Sequence, residues 1–181
     1  VTVNGDAVDE EDQTVDVTLT NAASASGDTP AISGDAIGTL TITDDDPAPS
    51  ITIADVSQAE GESGTSTFDF TISIDAASEK TVAVDYAVSD GTAVDSDAVS
   101  LAAGGDDYDA ASGTTLVDDD STPGDDTATF DPLTADTSVV VSVTVNGDET
   151  YEGDETFTVD LSGESNGTLS GAQGGGTITG A

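Results

Sequence analysis

The feature that most restricts how this chain can fold is an internal repeat. The run Val143-Thr-Val-Asn-Gly-Asp148 recurs as Val1-Thr-Val-Asn-Gly-Asp6. At the same offset of 142 positions Glu10 matches Glu152, Asp12 matches Asp154, Thr14 matches Thr156, Val17 matches Val159 and Leu19 matches Leu161. Each copy reads as an apolar strand, an acidic turn and a second strand, so any fold must accommodate that unit twice. In 181 residues an offset of 142 leaves room for one full unit and part of another. Residues 1–46 are therefore expected to form the C-terminal half of a module, residues 47–50 a linker, and residues 51–181 a near-complete module. Pro47 and Pro49 cannot continue a ladder and stiffen the linker.

Between the copies the apolar residues keep a period of two. Phe68, Phe70, Ile72 and Ile74 face one way, as do Val82, Val84 and Tyr86, and Val139, Val141, Val143 and Val145. Further strands are expected over residues 1–3, 14–20, 38–43, 50–56, 114–117, 127–130, 156–161 and 176–179, with Val15, Val17 and Leu19 pointing inward. Residues 22–33 and the acidic 118–126 read as loops, and 94–112 as a polar segment. No window sustains a 3.6-residue period, so little or no helix is expected. Seven or eight short alternating strands separated by turns describe an all-β, antiparallel β-sandwich.

The charge is extreme: 38 acids stand against one base, Lys80, for a formal −37. Such a surface repels nucleic acid and anionic membranes and attracts cations. No stretch is long and apolar enough to span a bilayer, so no direct membrane insertion is expected in this segment. Val1 opens in mid-strand, which suggests a piece of a longer, processed polypeptide. With no His and no Cys there is no Ser–His–acid triad, no Cys nucleophile and no His-ligated zinc. A glycosidase carboxylate pair would want aromatic sugar platforms, and the chain has no Trp and three Tyr. The expected function is non-catalytic. Asn166-Gly-Thr168 matches a glycosylation acceptor, a short and weak pattern.

These residues resemble tandem Calx-beta domains, the immunoglobulin-like calcium-binding modules of sodium–calcium exchangers, integrin β4 and large bacterial surface proteins. The resemblance rests on Asp90-Gly-Thr-Ala93 followed by Asp107-Tyr108, on Thr127-Ala-Thr-Phe130, on Asn146-Gly-Asp-Glu-Thr-Tyr-Glu-Gly-Asp-Glu-Thr-Phe157, and on the strand ending in Asp44-Asp45-Asp46. It implies an immunoglobulin-like Greek-key sandwich and bound Ca2+. The ligands it implies in the full module are Glu60, Asp107, Asp148, Glu152 and Glu155, with the carbonyl of Thr150. In the partial module they are Asp6, Glu10, Asp44, Asp45 and Asp46, with the carbonyl of Val8. Gln13 stands where Glu155 stands, which removes one charge and implies weaker binding there. Extra residues near 94–106 and 118–126, and Gly180-Ala181 in place of an acidic triplet, depart from the pattern.

Two other origins of the acidity stay open: acids that only solvate turns, the reading that fits residues 118–126, and adaptation to high salt, which screens self-repulsion. Both turns and the outward strand positions Asp16, Asp69 and Asp85 carry acids. The leading functional reading is a calcium-stabilised repeat of a secreted or cell-surface structural and adhesive protein in a saline setting, of a kind that can form a fibre or filament. The alternatives are a calcium-sensing regulatory domain of a larger membrane protein and a subunit polymerising by strand complementation. The expected partners are neighbouring identical or similar repeats. The apolar face of residues 1–46 has no partner sheet within the chain, and strands equivalent to 51–142 of a neighbouring repeat are expected to cover it.

Overall fold

The structure is a computed structural model; it describes the chain apart from residues 21–31, 33–35, 95–106, 110–114, 117–126, 133–136, 150–151 and 181. The expected loops at 22–33 (apart from Ile32, which is exposed) and 118–126 and most of the polar segment 94–112 fall outside the described residues. The chain divides into two compact units, Val1–Pro47 and Ala48–Ala181.

In the larger unit one sheet contains β3 (Ser50–Ile53), β5 (Gly64–Ile74), β7 (Tyr108–Asp109), β8 (Thr115–Leu116), β10 (Ser138–Gly147) and β12 (Thr168–Leu169). Its order is β12-β3-β5-β10-β7, with β8 also on β10. The second sheet, β4 (Val56–Ala59), β13 (Gln173–Thr179), β11 (Glu155–Ser165), β6 (Val82–Asp90) and β9 (Thr127–Phe130), has the order β4-β13-β11-β6-β9. The pairs are antiparallel except for β12 on β3 and β4 on β13. Among the described residues there is no helix. This is an all-β, immunoglobulin-like sandwich.

The alternating residues form its core. Phe68, Phe70, Ile72, Val82, Val84, Val141, Val143, Val145, Phe157 and Val159 are all essentially inaccessible to water, and burying each such side chain is worth about 1.5–3 kcal/mol. Phe157 is the centre of an aromatic cluster. It stacks on Tyr108 with centroids 4.8 Å apart and meets Phe68 at 5.9 Å and Phe70 at 5.7 Å. Its ring fills the space opposite Gly176, where an added Cβ would lie 2.5 Å from the ring carbon Cζ.

Three expectations are corrected. Residues 50–56 are not one strand: the chain leaves the first sheet after Ile53 and joins the second at Val56. Ala54 N–H donates to Thr71 O at 3.1 Å, and the Asp55 carboxylate accepts Gly175 N–H at 2.7 Å, so each sheet holds one side of the step. Residues 1–3 are not in a strand. Their counterparts 143–145 pair with residues 66–68 of β5, and a lone segment without such a partner has nothing to pair with. Finally, the smaller unit is a two-stranded sheet, β1 (Gln13–Thr18) with β2 (Ile37–Ile42), in which Val17, Leu19, Ile37 and Leu40 are exposed instead of turned into a core. Two strands make a face but supply nothing to cover it.

Candidate metal centre

One end of the larger sandwich gathers carboxylates from both sheets. Glu60 follows β4, Asp107 precedes β7, Asp148 follows β10, and Glu152 and Glu155 lead into β11. Local backbone geometry sets these positions. The β4–β5 turn places Gly61 at φ 95° and Gly64 at φ 79°, conformations that glycine adopts without steric cost. Gly147 lets that turn come close: a Cβ there would stand 2.5 Å from Gly61 O and 2.9 Å from Glu60 O. Asp107 is held on three sides, since its N–H donates to Val94 O (3.2 Å), its carbonyl accepts Asn146 N–H (2.9 Å) and its Oδ2 accepts Val94 N–H (2.8 Å). Val94 is positioned in turn by Ala93 N–H donating to Thr156 O (3.0 Å) and by Thr92 Oγ1 accepting Thr156 N–H (2.9 Å). The neighbouring Tyr108 stacks on Phe157 and donates its hydroxyl to Asp90. The aromatic core thus anchors two carboxylates, one residue from Asp107 and two residues from Glu155.

Asp107, Glu152 and Glu155 each present a carboxylate oxygen within 4.8 Å of the others, the only such trio among the described residues. Glu60 is 6% exposed and Asp107 8%. Two buried side-chain oxygens have no hydrogen-bond partner among the described residues, Glu60 Oε1 and Ser66 Oγ. The electrostatics are those of anions pressed together. Desolvation, then Asp107, Glu152, a hydrogen bond shared with Asp107, and Glu60 push the Glu155 carboxyl up to about 7. Burial followed by repulsion from Glu152, Asp148 and Asp107 raises Glu60, and burial followed by Asp148 and Asp107 raises Glu152. The single base, Lys80, lies between the end of β5 and the start of β6, at the opposite end of those strands. A buried carboxylate oxygen with no donor, among acids with no basic side chain at that end, is what a hard cation satisfies. The residues therefore fit a metal ion with oxygen ligands. The carbonyl of Thr150 lies outside the described residues.

The acids of the smaller unit are arranged differently. Asp44 Oδ2 accepts Glu10 N–H (3.1 Å), Asp12 Oδ1 accepts Asp44 N–H (3.0 Å), and Asp44 Oδ1 accepts Asp46 N–H (3.2 Å). Asp6 Oδ1 accepts Val8 N–H (3.0 Å), and Gln13 Nε2 donates to Glu10 Oε2 (3.1 Å). Desolvation, then Asp45, Asp44, Asp6 and Asp9, raise Asp46. Asp45 itself is exposed. Asp9 is buried, and the repeat gives no signal for it, since its counterpart is the uncharged Tyr151. Asp90, which the sequence shows only as part of the Asp90-Gly-Thr-Ala93 motif, is the acceptor of the Tyr108 hydroxyl.

No protein-family profile matches the chain, and no curated protein matches it. Solved structures do. The crystal structure of CBD12 from CALX1.2 superposes with a TM-score of 0.51 at 17% identity, over 71% of this chain and 43% of that one. The apo form of the Calx CBD1 domain gives 0.47 at 17% identity over 72% and 96%, and the calcium binding domain CBD12 of CALX1.1 gives 0.40 at 22% over 88% and 51%. The chain spans less than half the length of the first of these. At such identity the likeness concerns architecture alone: this chain carries the immunoglobulin-like β-sandwich fold seen in CBD12 from CALX1.2.

Proposed function

We propose that the larger unit is a non-catalytic calcium-binding module whose fold is stabilised by the ion. The observation that carries this is the trio Asp107, Glu152 and Glu155 beside the buried, unpartnered Glu60 Oε1. Those four side chains and Asp148 would hold the ion, which supplies positive charge and Lewis acidity at a point where the protein has only negative charge. The oxygen-only set favours calcium over a transition metal, which would want nitrogen or sulfur ligands that this chain lacks. Support comes also from the fold shared with CBD12 from CALX1.2 and from the motif resemblance to Calx-beta domains.

Its role in this reading is that of a repeated structural and adhesive spacer, secreted or on a cell surface in a saline setting, with the duplicated strand–turn–strand unit as the reason for a tandem array. A calcium-responsive regulatory domain of a larger protein is the second reading. It is favoured by the likeness to a longer structure of which the chain covers 43%. Melting in calcium and in chelator at fixed ionic strength tests the calcium reading. A ligand specific to the native state and present at 100 times its dissociation constant adds about 2.7 kcal/mol. Equal midpoints would sink it, and a rise with any salt regardless of valence would mean adaptation to high salt instead. Scattering with and without calcium separates the two roles, since a regulatory domain must change shape and a spacer need only stiffen.

A further inference from the structure

The apolar alternation of β5 breaks near the start of the strand. Phe68, Phe70, Ile72 and Ile74 fill its inner face, and the next inward position toward the N-terminal end is Ser66. Neither water nor a protein group accounts for a hydroxyl there: Ser66 Oγ is shielded from solvent and has no hydrogen-bond partner among the described residues. Its neighbour across the ladder is the fully buried Val145, so an apolar side chain would suit the place. A buried hydroxyl left unmet costs stability that a methyl group would not cost, and such a group calls for a ligand.

The strand registers place this hydroxyl at the level of the carboxylates. Ser66, Val145 and Tyr108 form one row across β5, β10 and β7. The next row outward is Thr65, Asn146 and Asp107, with Asn146 N–H donating to Asp107 O at 2.9 Å. The facing sheet reaches the same level with Glu155. Phe68 and Phe157 meet between the sheets at 5.9 Å. Ser66 is the next inward residue beyond Phe68, and Glu155 the next beyond Phe157, both toward the end of the sandwich that carries Glu60. Glu60 Oε1, on the turn that enters β5, is the other buried oxygen without a partner. A hydroxyl and a carboxylate oxygen at one end of one strand, both unmet and not bonded to each other, are what a shared ligand accounts for.

We propose that Ser66 is a further ligand of the calcium site, a neutral oxygen donor supplied from the inner face of β5 beside Glu60. This rests on the calcium reading given above. The chemistry favours a hydroxyl at that place. Glu60, Asp107, Asp148, Glu152 and Glu155 already bring more negative charge than a divalent ion can balance, while calcium takes about six to eight oxygens. Another carboxylate would add repulsion. A serine hydroxyl adds a lone pair without charge, and its proton can be donated to a neighbouring carboxylate. In this arrangement the acids supply the charge and Ser66 helps to complete the coordination shell.

The test compares the 181-residue chain with its Ser66→Ala and Ser66→Thr variants. Calcium affinity is read by calorimetry and stability by melting in chelator. Water on the metal is read from the luminescence lifetime of substoichiometric terbium, a calcium stand-in, in light and heavy water. Ser66→Ala should bind calcium about 10-fold more weakly and admit about one more water to terbium. It should nevertheless melt no lower than the wild-type chain in chelator, because it removes an unmet buried hydroxyl. Ser66→Thr keeps an oxygen at the position and should keep the wild-type water count. Unchanged affinity and water count in Ser66→Ala would overturn the proposal and leave the calcium reading in place, as would a threonine variant as hydrated as the alanine one. A chelator midpoint that falls in step with the affinity would also overturn it, since that is the mark of a purely structural role. If the wild-type chain takes up neither ion, or if Glu152→Gln leaves calcium affinity and terbium hydration untouched, the calcium reading itself falls and the proposal with it.

Discussion

Replacing Glu155 by Gln should stabilise the calcium-free protein at alkaline pH while weakening calcium binding. Glu155 is half-buried beside Asp107, Glu152 and Glu60, and its carboxyl is lifted from 4.5 to about 7. A raised carboxyl means that the folded state keeps a proton which the unfolded chain gives up. The calcium-free fold is therefore most stable below about pH 4.5 with respect to this group, loses stability as pH rises toward 7, and is level above that. At about 1.4 kcal/mol per pKa unit the full effect would be about 3 kcal/mol, and screening by the nearby solvent brings the expectation to about 1–3 kcal/mol. Gln keeps the shape and can donate to Asp107 as the protonated acid does, but never ionises. Urea unfolding in chelator at pH 5, 7 and 8.5 measures the difference. The wild-type chain should lose stability across that range and Glu155→Gln should lose about 1–3 kcal/mol less. Parallel pH profiles for the two would refute the electrostatic reasoning, whatever calcium does.

Within the proposed set, Glu152→Gln should reduce calcium affinity by calorimetry more than Asp118→Asn does; the reverse order would mean the ligands lie elsewhere. Gly176→Ala should destabilise the larger unit by about 1–3 kcal/mol in denaturant, because the new methyl meets the Phe157 ring at 2.5 Å. Gly147→Ala should lower calcium affinity as well as stability. Its methyl meets backbone at Gly61 O and displaces the turn that carries Glu60, so an unchanged affinity would show that the turn does not set the site.

Much of the sandwich could be read from alternation because its strands are buried on one face: Phe68, Phe70, Ile72 and Ile74 mark β5 as clearly in the sequence as in the core. The step at Ala54–Asp55 could not be read. An alternating strand looks the same whichever sheet receives it, and the deciding hydrogen bond joins Asp55 to Gly175, 120 positions away. Alternation in β1 identified which face is apolar but carries no information on whether anything covers it, and so Val17 and Leu19 were expected to be inside. At the site, the turn positions of the acids were visible in the repeat. Spacing alone does not say which acids converge, because Asp107 is set beside the others by hydrogen bonds through Val94, Thr92 and Thr156 and to Asn146, all remote in sequence from one another or from it, and the isolation of Glu60 Oε1 is a matter of packing.

The carboxylates at the end of the larger sandwich come from positions 60, 107, 148, 152 and 155, and from both sheets. They can meet only after the β5–β10 and β6–β11 ladders have formed and the layers have closed on Phe157. This has a consequence for rates. Contacts made after the folding barrier hardly alter how fast the barrier is climbed from the unfolded side; they deepen the native well and slow escape from it. Occupancy of this end should therefore leave the refolding arm of a chevron nearly unmoved and lower the unfolding arm. The module would gain its persistence as a long native lifetime, and the same strands would assemble at the same speed whether or not the surrounding water contained calcium.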